Sequence, residues 1–169
     1  MPGHLEHPFQ EYATNEFAKE IRMYSSKYLR TDIVFDVYRS GSLKAETRSK
    51  RGMGARCRVT ASGKIPPNWQ SFLRDSLNKT ELFAYLAEKL VELEGNMIVA
   101  TLEESVLSNH EIEVEHISDC NHEEADTRLF FHAKHASNHE SKSVLIKATD
   151  TDVVVIAVSV FSQLQNLGL

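Results

Sequence analysis

Two tight acidic pairs carry the chemistry most readily drawn from this chain: Glu124 with Asp126 in HEEADTR, and Asp150 with Asp152 in ATDTDVVV. A further acid, Asp36, closes the apolar run 33–35. Carboxylates brought together repel one another unless a cation neutralises them, and hard oxygen ligands select magnesium or manganese. Two such ions about 4 Å apart activate a water and stabilise the leaving oxygen of a phosphodiester. Each acid also has an ordinary explanation. Glu123, Glu124 and Asp126 suit a helix N-terminus, Asp152 suits an N-cap, and Asp36 suits a turn. It is their joint placement, at strand ends and helix starts, that points to a metal.

The elements that must position these acids follow from the apolar spacing. Phe9, Tyr12, Phe17, Ile21, Tyr24 and Tyr28 predict a helix over 8–29, and 33–35 predicts a short buried strand ending on Asp36. Gly52 and Gly54 interrupt any helix in the segment that follows, and Gly63, Pro66 and Pro67 predict a loop pinned by Trp69, Phe72 and Leu73. Asn78 is expected as an N-cap with Glu81 as its capping-box partner, ahead of Leu82, Phe83, Leu86, Leu90 and Leu93, with Gly95 as the stop. A strand is expected over 96–102 and a weaker one over 111–117, where Ile112 and Val114 alternate with acids. HEEADTRLFFHAKHA predicts a helix capped by Asp119 or Asn121. Residues 143–149 predict a strand, and Asp152 is expected to cap a closing helix through Val160 and Leu164. Strands alternating with helices imply an α/β sandwich on a mainly parallel sheet, in which ligands bind beyond the carboxyl ends of the strands. Asp36, Glu124 with Asp126, and Asp150 with Asp152 all fall at that end.

With 169 residues, 41% apolar and 25% charged, the chain supports one core, and a single domain is expected. The longest apolar run, 153–158, is far too short to span a membrane. MPGHLEHPF lacks the blocks of a secretory signal, and Cys57 and Cys120 are too few for a disulfide framework, so a reducing intracellular setting is expected. The net charge of -5 is unevenly distributed. Arg39, Lys44, Arg48, Lys50, Arg51, Arg56 and Arg58 face only Glu46 between 39 and 58, which makes that segment +6 and the remainder -11. Basic residues to hold phosphates and acids to hold cations suit an enzyme acting on a polyanion. A solvated basic loop is the plain alternative.

FDVYRSGSLKAETRSKRG resembles the flap-endonuclease/XPG pattern, in which a strand-end Asp is followed by a lysine and a basic run. HEEADTR is similar to that family's Glu-x-Glu helix start, with Asp126 in place of the second Glu, and ATDTDVVV is similar to its Asp-x-Asp motif. Over nearly its whole length the chain resembles a group of PIN-like proteins, multiplied in invertebrate genomes, that share SLK..TR..RG, NW..FLR, NK.EL, HEEADTR and DTDV. The resemblance implies a PIN-like three-layer α/β sandwich around a mainly parallel sheet, spanning 1–169 as one incomplete domain with a basic, arch-like segment at 39–68. It implies Mg²⁺- or Mn²⁺-dependent hydrolysis of phosphodiesters in DNA or RNA. Asp36, Glu124, Asp126, Asp150 and Asp152 are then the metal ligands, while Lys44, Arg48 and Arg51 approach the scissile phosphate. The family carries a metal-binding Asp on a strand before the first helix and a Gly-Cys-Asp motif after the last, so this chain is expected to be an internal piece of a longer protein. The alternative is a PIN-derived module that binds nucleic acid or a protein partner without cleaving.

Other chemistries have weaker support. His132, His135 and His139 recur at helical spacing and could share a face on zinc, although a surface cluster of histidines is the commoner outcome. Cys120 with His116 and His122 is a second conceivable zinc set. Cys57 sits between Arg56 and Arg58 with no general base nearby in sequence, so no cysteine nucleophile is expected. There is no G-x-S-x-G elbow and no phosphate-binding glycine loop.

Overall fold

Aromatic and aliphatic residues spaced three to five apart produce the first helical run. It comprises α1 (Phe9–Glu11), a π-helical stretch (Tyr12–Phe17) and α2 (Ala18–Ser25). The computed structural model describes residues 7–38, 54–114, 117, 125–139 and 143–160. The remaining elements, in chain order, are β1 (Arg30–Ile33), α3 (Trp69–Arg74), α4 (Ser76–Val91), β2 (Met97–Leu102), β3 (Ser105–Ser108), α5 (Ala125–Asn138) and α6 (Thr151–Val160). The chain is α/β. Its sheet, among the described residues, has the order β1-β2-β3, with β1 parallel to β2 and β2 antiparallel to β3.

Alternation along the strands assigns each face. Thr31 and Ile33 of β1 lie beside Ile98 and Ala100 of β2. Ile98 and Ala100 pack with Ala18 of α2 and Ala87 and Leu90 of α4. Arg30 and Asp32 therefore project from the opposite face, where His132 and His135 of α5 meet them. A second apolar cluster joins Phe9, Ala13, Ile65, Phe72, Leu82 and Leu86, with the Phe9 and Phe72 rings 5.7 Å apart and both fully buried. Aromatic burial of that size contributes about 2–3 kcal/mol per side chain. A third cluster packs Phe130 of α5 on Val153 of α6, with Ile146 beside them.

The loop before α3 is tied to the start of the first helical run by backbone groups. The amides of Phe9 and Gln10, unpaired within their own helix, donate to the carbonyls of Gly63 and Ala61 at 2.9 and 3.1 Å. Gly54 admits no side chain: a Cβ there would lie 2.3 Å from the Ser71 carbonyl oxygen and 2.7 Å from the Asp75 nitrogen. Gly95, at φ +116°, makes the left-handed turn between α4 and β2.

Several sequence expectations shift. The predicted strand at 33–35 lies earlier, at Arg30–Ile33, and residues 34–38 continue it without a ladder, the Phe35 amide donating instead to Thr101 Oγ1 at 2.8 Å. Residues 111–114 form no strand; the partner of β2 is Ser105–Ser108, reached through a two-residue turn that places Glu103 at φ +51°. Residues 143–148 form no strand, and of them only Ile146 is drawn into the α5–α6 cluster. Asn78 is not the cap of α4. Asp75 fills that role by accepting from the Asn78 amide at 2.9 Å. No helix among the described residues is long and apolar enough to cross a membrane.

Candidate functional site

Asp126 and Asp150 come together. Asp126 stands in the first turn of α5, Asp150 directly precedes α6, and both line a cleft of about 300 Å³ with Val34, Leu129, Lys147 and Thr149. Asp36 adjoins the same helix start: its Oδ1 accepts from the Ala125 amide at 3.0 Å, and its Oδ2 accepts from the Tyr38 hydroxyl at 3.3 Å. A carboxylate at that amide both satisfies an orphan donor and faces the positive end of the helix. Asp152 is exposed in the first turn of α6. The helix cap is Asp150, whose Oδ1 accepts from the Asp152 amide at 3.0 Å, so the expected capping role of Asp152 passes to its neighbour. Glu124, Lys44, Arg48 and Arg51 lie outside the described residues, as do the helix caps expected at Asp119 and Asn121 and the zinc set of Cys120, His116 and His122.

The donors on this cleft are hard oxygens, which suits magnesium or manganese better than zinc. Among the described residues no three His, Cys, Asp or Glu side chains converge on one point. Magnesium is commonly held by one or two carboxylates together with waters and substrate phosphate, and Asp126 with Asp150 fits that pattern. Among the described residues, Lys147 brings a cation to the rim. Its ammonium donates to Tyr24 and Glu20 of the first helical run at 2.6 and 2.9 Å, and those contacts hold its pKa above the ordinary lysine range. Asp36 itself borders a separate, larger cleft of about 570 Å³, walled by Phe35, Tyr38, Phe83 and Glu103. The Phe35 and Phe83 rings stack there at 4.8 Å.

The basic segment is partly tied to the fold. Arg56 pairs with Glu81 and donates to Asn78 Oδ1 at 2.7 Å, and the Val59 amide donates to Glu81 Oε2 at 3.0 Å. The hydrogen bond from Arg56 holds the Glu81 carboxyl below its ordinary range. Arg56 is thus engaged in structure, and Glu81 clamps a loop where a capping box was expected.

Two sets of residues escaped sequence reasoning. His132 and His135, expected as a surface cluster or a zinc set, are buried to 2% and 3% exposure and hydrogen-bonded to protein. Asp32 receives Nε and Nη2 of Arg30, both at 2.7 Å, and the Nδ1–H of His132 at 2.7 Å. Burial alone would raise the Asp32 carboxyl, but the hydrogen bonds from His132 and Arg30 outweigh it and hold it below the ordinary carboxylate range. Arg128, fully buried, donates to the carbonyls of Glu103, Glu104 and Ser105, the latter two at 3.0 and 2.8 Å. It pins α5 to the β2–β3 turn. The signal for both sets was the spacing of Arg128, His132 and His135, a polar stripe at helical period beside an apolar one. Compared with family models, with curated proteins and with solved structures, the chain gives no significant match.

Proposed function

We propose that this chain is a nuclease-like domain that binds Mg²⁺ or Mn²⁺ through Asp126 and Asp150, with Asp36, Glu124 and Asp152 as flanking acids, and acts on phosphodiesters of DNA or RNA. The observation that carries this is the shared cleft. Asp126 and Asp150, from two helix starts, line one cavity, and Asp36 contacts the helix bearing Asp126. The ion, when bound, would activate a water and neutralise charge on the phosphate. Asp126 and Asp150 hold it, Lys147 adds positive charge at the rim, and Lys44, Arg48 and Arg51 of the basic segment receive the polyanion. A three-layer PIN-like arrangement accords with α2 and α4 covering one face of the sheet while α5 meets the other.

Differential scanning with Mg²⁺ and Mn²⁺ tests the metal. A cation present at 100 times its Kd stabilises the fold by about 2.7 kcal/mol, and no rise in Tm up to millimolar concentrations would overturn the assignment. Asp150→Asn is the informative variant. Asparagine caps a helix about as well as aspartate, so α6 should survive while the cation response is lost. Single-turnover assays on flap, single-stranded and duplex substrates then read cleavage directly, which Asp150→Asn should abolish.

A second reading has its own support. Oδ1 of Asp36 and Oδ1 of Asp150 are each engaged by a helix-start amide, a role that serves the fold without any metal. A PIN-derived module that binds nucleic acid or a protein partner without cleaving would show binding that weakens steeply with salt and no cation-dependent turnover.

A further inference from the structure

His132 and His135 stand three residues apart on α5, and among the described residues groups from β1, from the segment after β3 and from the next turn of α5 face them. Arg30 and Asp32 come from β1, Glu113 from the segment after β3, and His139 from the next turn of α5. The chemistry of these partners settles the roles at His135. Arg30 only donates, so His135 Nδ1, 2.9 Å from Arg30 Nη1, must accept. The Glu113 carbonyl only accepts, so His135 Nε2–H donates to it at 2.7 Å. Both contacts together require the neutral ring. A proton on Nδ1 would set one cationic N–H against another in a space that leaves His135 3% exposed. Asp32 offers no relief, because Arg30 occupies both of its oxygens and His132 shares one of them. His139, its ring stacked on His135 at 4.2 Å and its Nδ1 on the His135 carbonyl, is half exposed and offers no compensating charge of its own, while the Glu113 carboxylate lies 3.8 Å from His139 Nε2.

We propose that His135 is an acid-sensitive latch: uptake of a proton by its ring releases α5 from Arg30 of β1 and from the Glu113 carbonyl, loosening the helix whose first turn carries Asp126. Burial, with the Arg30 charge next, pushes the His135 pKa below the ordinary histidine value, as the geometry requires. The released ring titrates near the ordinary value of about 6.5 and the latched ring only at lower pH. The latched state is therefore fully favoured above about pH 6.5. Below it, the state loses about tenfold per pH unit for one proton, until the latched ring itself titrates. This inference rests on the packing of α5 against β1 and is independent of the metal assignment.

Amide hydrogen exchange of the full chain at pH 7.5 and 5.5, corrected for intrinsic exchange rates, tests the latch. Peptides from 128–139 should exchange up to about tenfold faster at pH 5.5. His135→Gln keeps a carbonyl to accept from Arg30 and an amide to donate to Glu113, but takes up no proton, so it should abolish the acceleration. His139→Gln should retain it. Unchanged exchange in the wild type, equal acceleration in the His135→Gln variant, or loss of the response in the His139→Gln variant would each overturn the latch. Should His135→Gln fail to fold, ring ¹⁵N shifts of the wild type decide. They should show neutral Nε2–H at pH 7.5 and a charged ring in the opened state, and a ring charged at pH 7.5 or neutral when opened would overturn it.

Discussion

Asn78 shows how a correct residue can be given the wrong task. A capping residue three positions before Glu81 reads as a helix start, yet Asn78 is fully buried one turn inside α4. Its Oδ1 accepts from the Cys57 amide at 2.9 Å and from Arg56, and its Nδ2 donates to the carbonyls of Ala55 and Phe72 at 2.8 and 2.9 Å. All four hydrogen-bonding positions of the amide are used, and the returning end of the basic segment is fastened by them. Asn78→Ala would leave buried backbone groups without partners and should cost about 2–4 kcal/mol in urea unfolding. Arg56→Ala should cost less, about 0.2–1 kcal/mol, because its pair with Glu81 is a third exposed. The acids fared differently. Asp126 and Asp150 were legible because a carboxylate at a helix start follows from local sequence. Which of Asp150 and Asp152 caps the helix was not, since the choice depends on the backbone angle at which the chain enters α6.

At the scale of elements, the helices were more legible than the strands. Helical periodicity is a local property, and α1 with α2, α4 and α5 fall where the apolar spacing put them, as does α6 as far as Val160, Leu164 lying outside the described residues. Strands need a partner, and a run such as 143–148 carries strand-like residues without one in the described sheet. Ser105–Ser108, by contrast, has little apolar alternation and becomes β3 because a tight turn folds it back on β2. Arg128 explains why that turn holds with Glu103 in the left-handed region, a conformation that costs a side-chain-bearing residue about 1–2 kcal/mol. Its guanidinium gathers three successive carbonyls of the turn from the neighbouring helix. Arg128→Lys keeps the charge but not the fork, and should lower stability by about 2–3 kcal/mol. Faster amide exchange in β3 than in β2 would check that the turn, and not the whole domain, is what loosens.

For the whole molecule, the buried Arg30–Asp32–His132–His135 system makes stability depend on pH in two stages of the same sign. His135 has a folded pKa below its unfolded value, so its contribution is present above about pH 6.5 and is lost as pH falls below that. The Asp32 carboxyl is likewise held down in the fold, so its contribution is present above about pH 3.9 and is lost only at more acid pH. Chemical unfolding followed from pH 7.5 to 3 should show a first decline that His135→Gln removes and a second that Asp32→Asn removes. Asp32→Asn should also cost about 3–5 kcal/mol at neutral pH, because it leaves Arg30 largely buried without its counter-charge. A stability profile flat between pH 6.5 and 5 would contradict the assignment of His135 as neutral.

The α/β class, the positions of the long helices and the acids at their starts were determined by the sequence alone, because apolar period and helix-start chemistry act over a few neighbouring residues. The tertiary structure decided which of those acids share a cleft, which strand pairs with β2, and that the histidines of α5 turn inward onto Asp32 and Arg30. Asp36 reaches the Ala125 amide across 89 positions and His132 reaches Asp32 across 100, while the cleft shared by Asp126 and Asp150 depends on how the starts of α5 and α6 pack. No local pattern specifies such contacts, since a buried polar stripe and a solvated one have the same spacing until something packs against them.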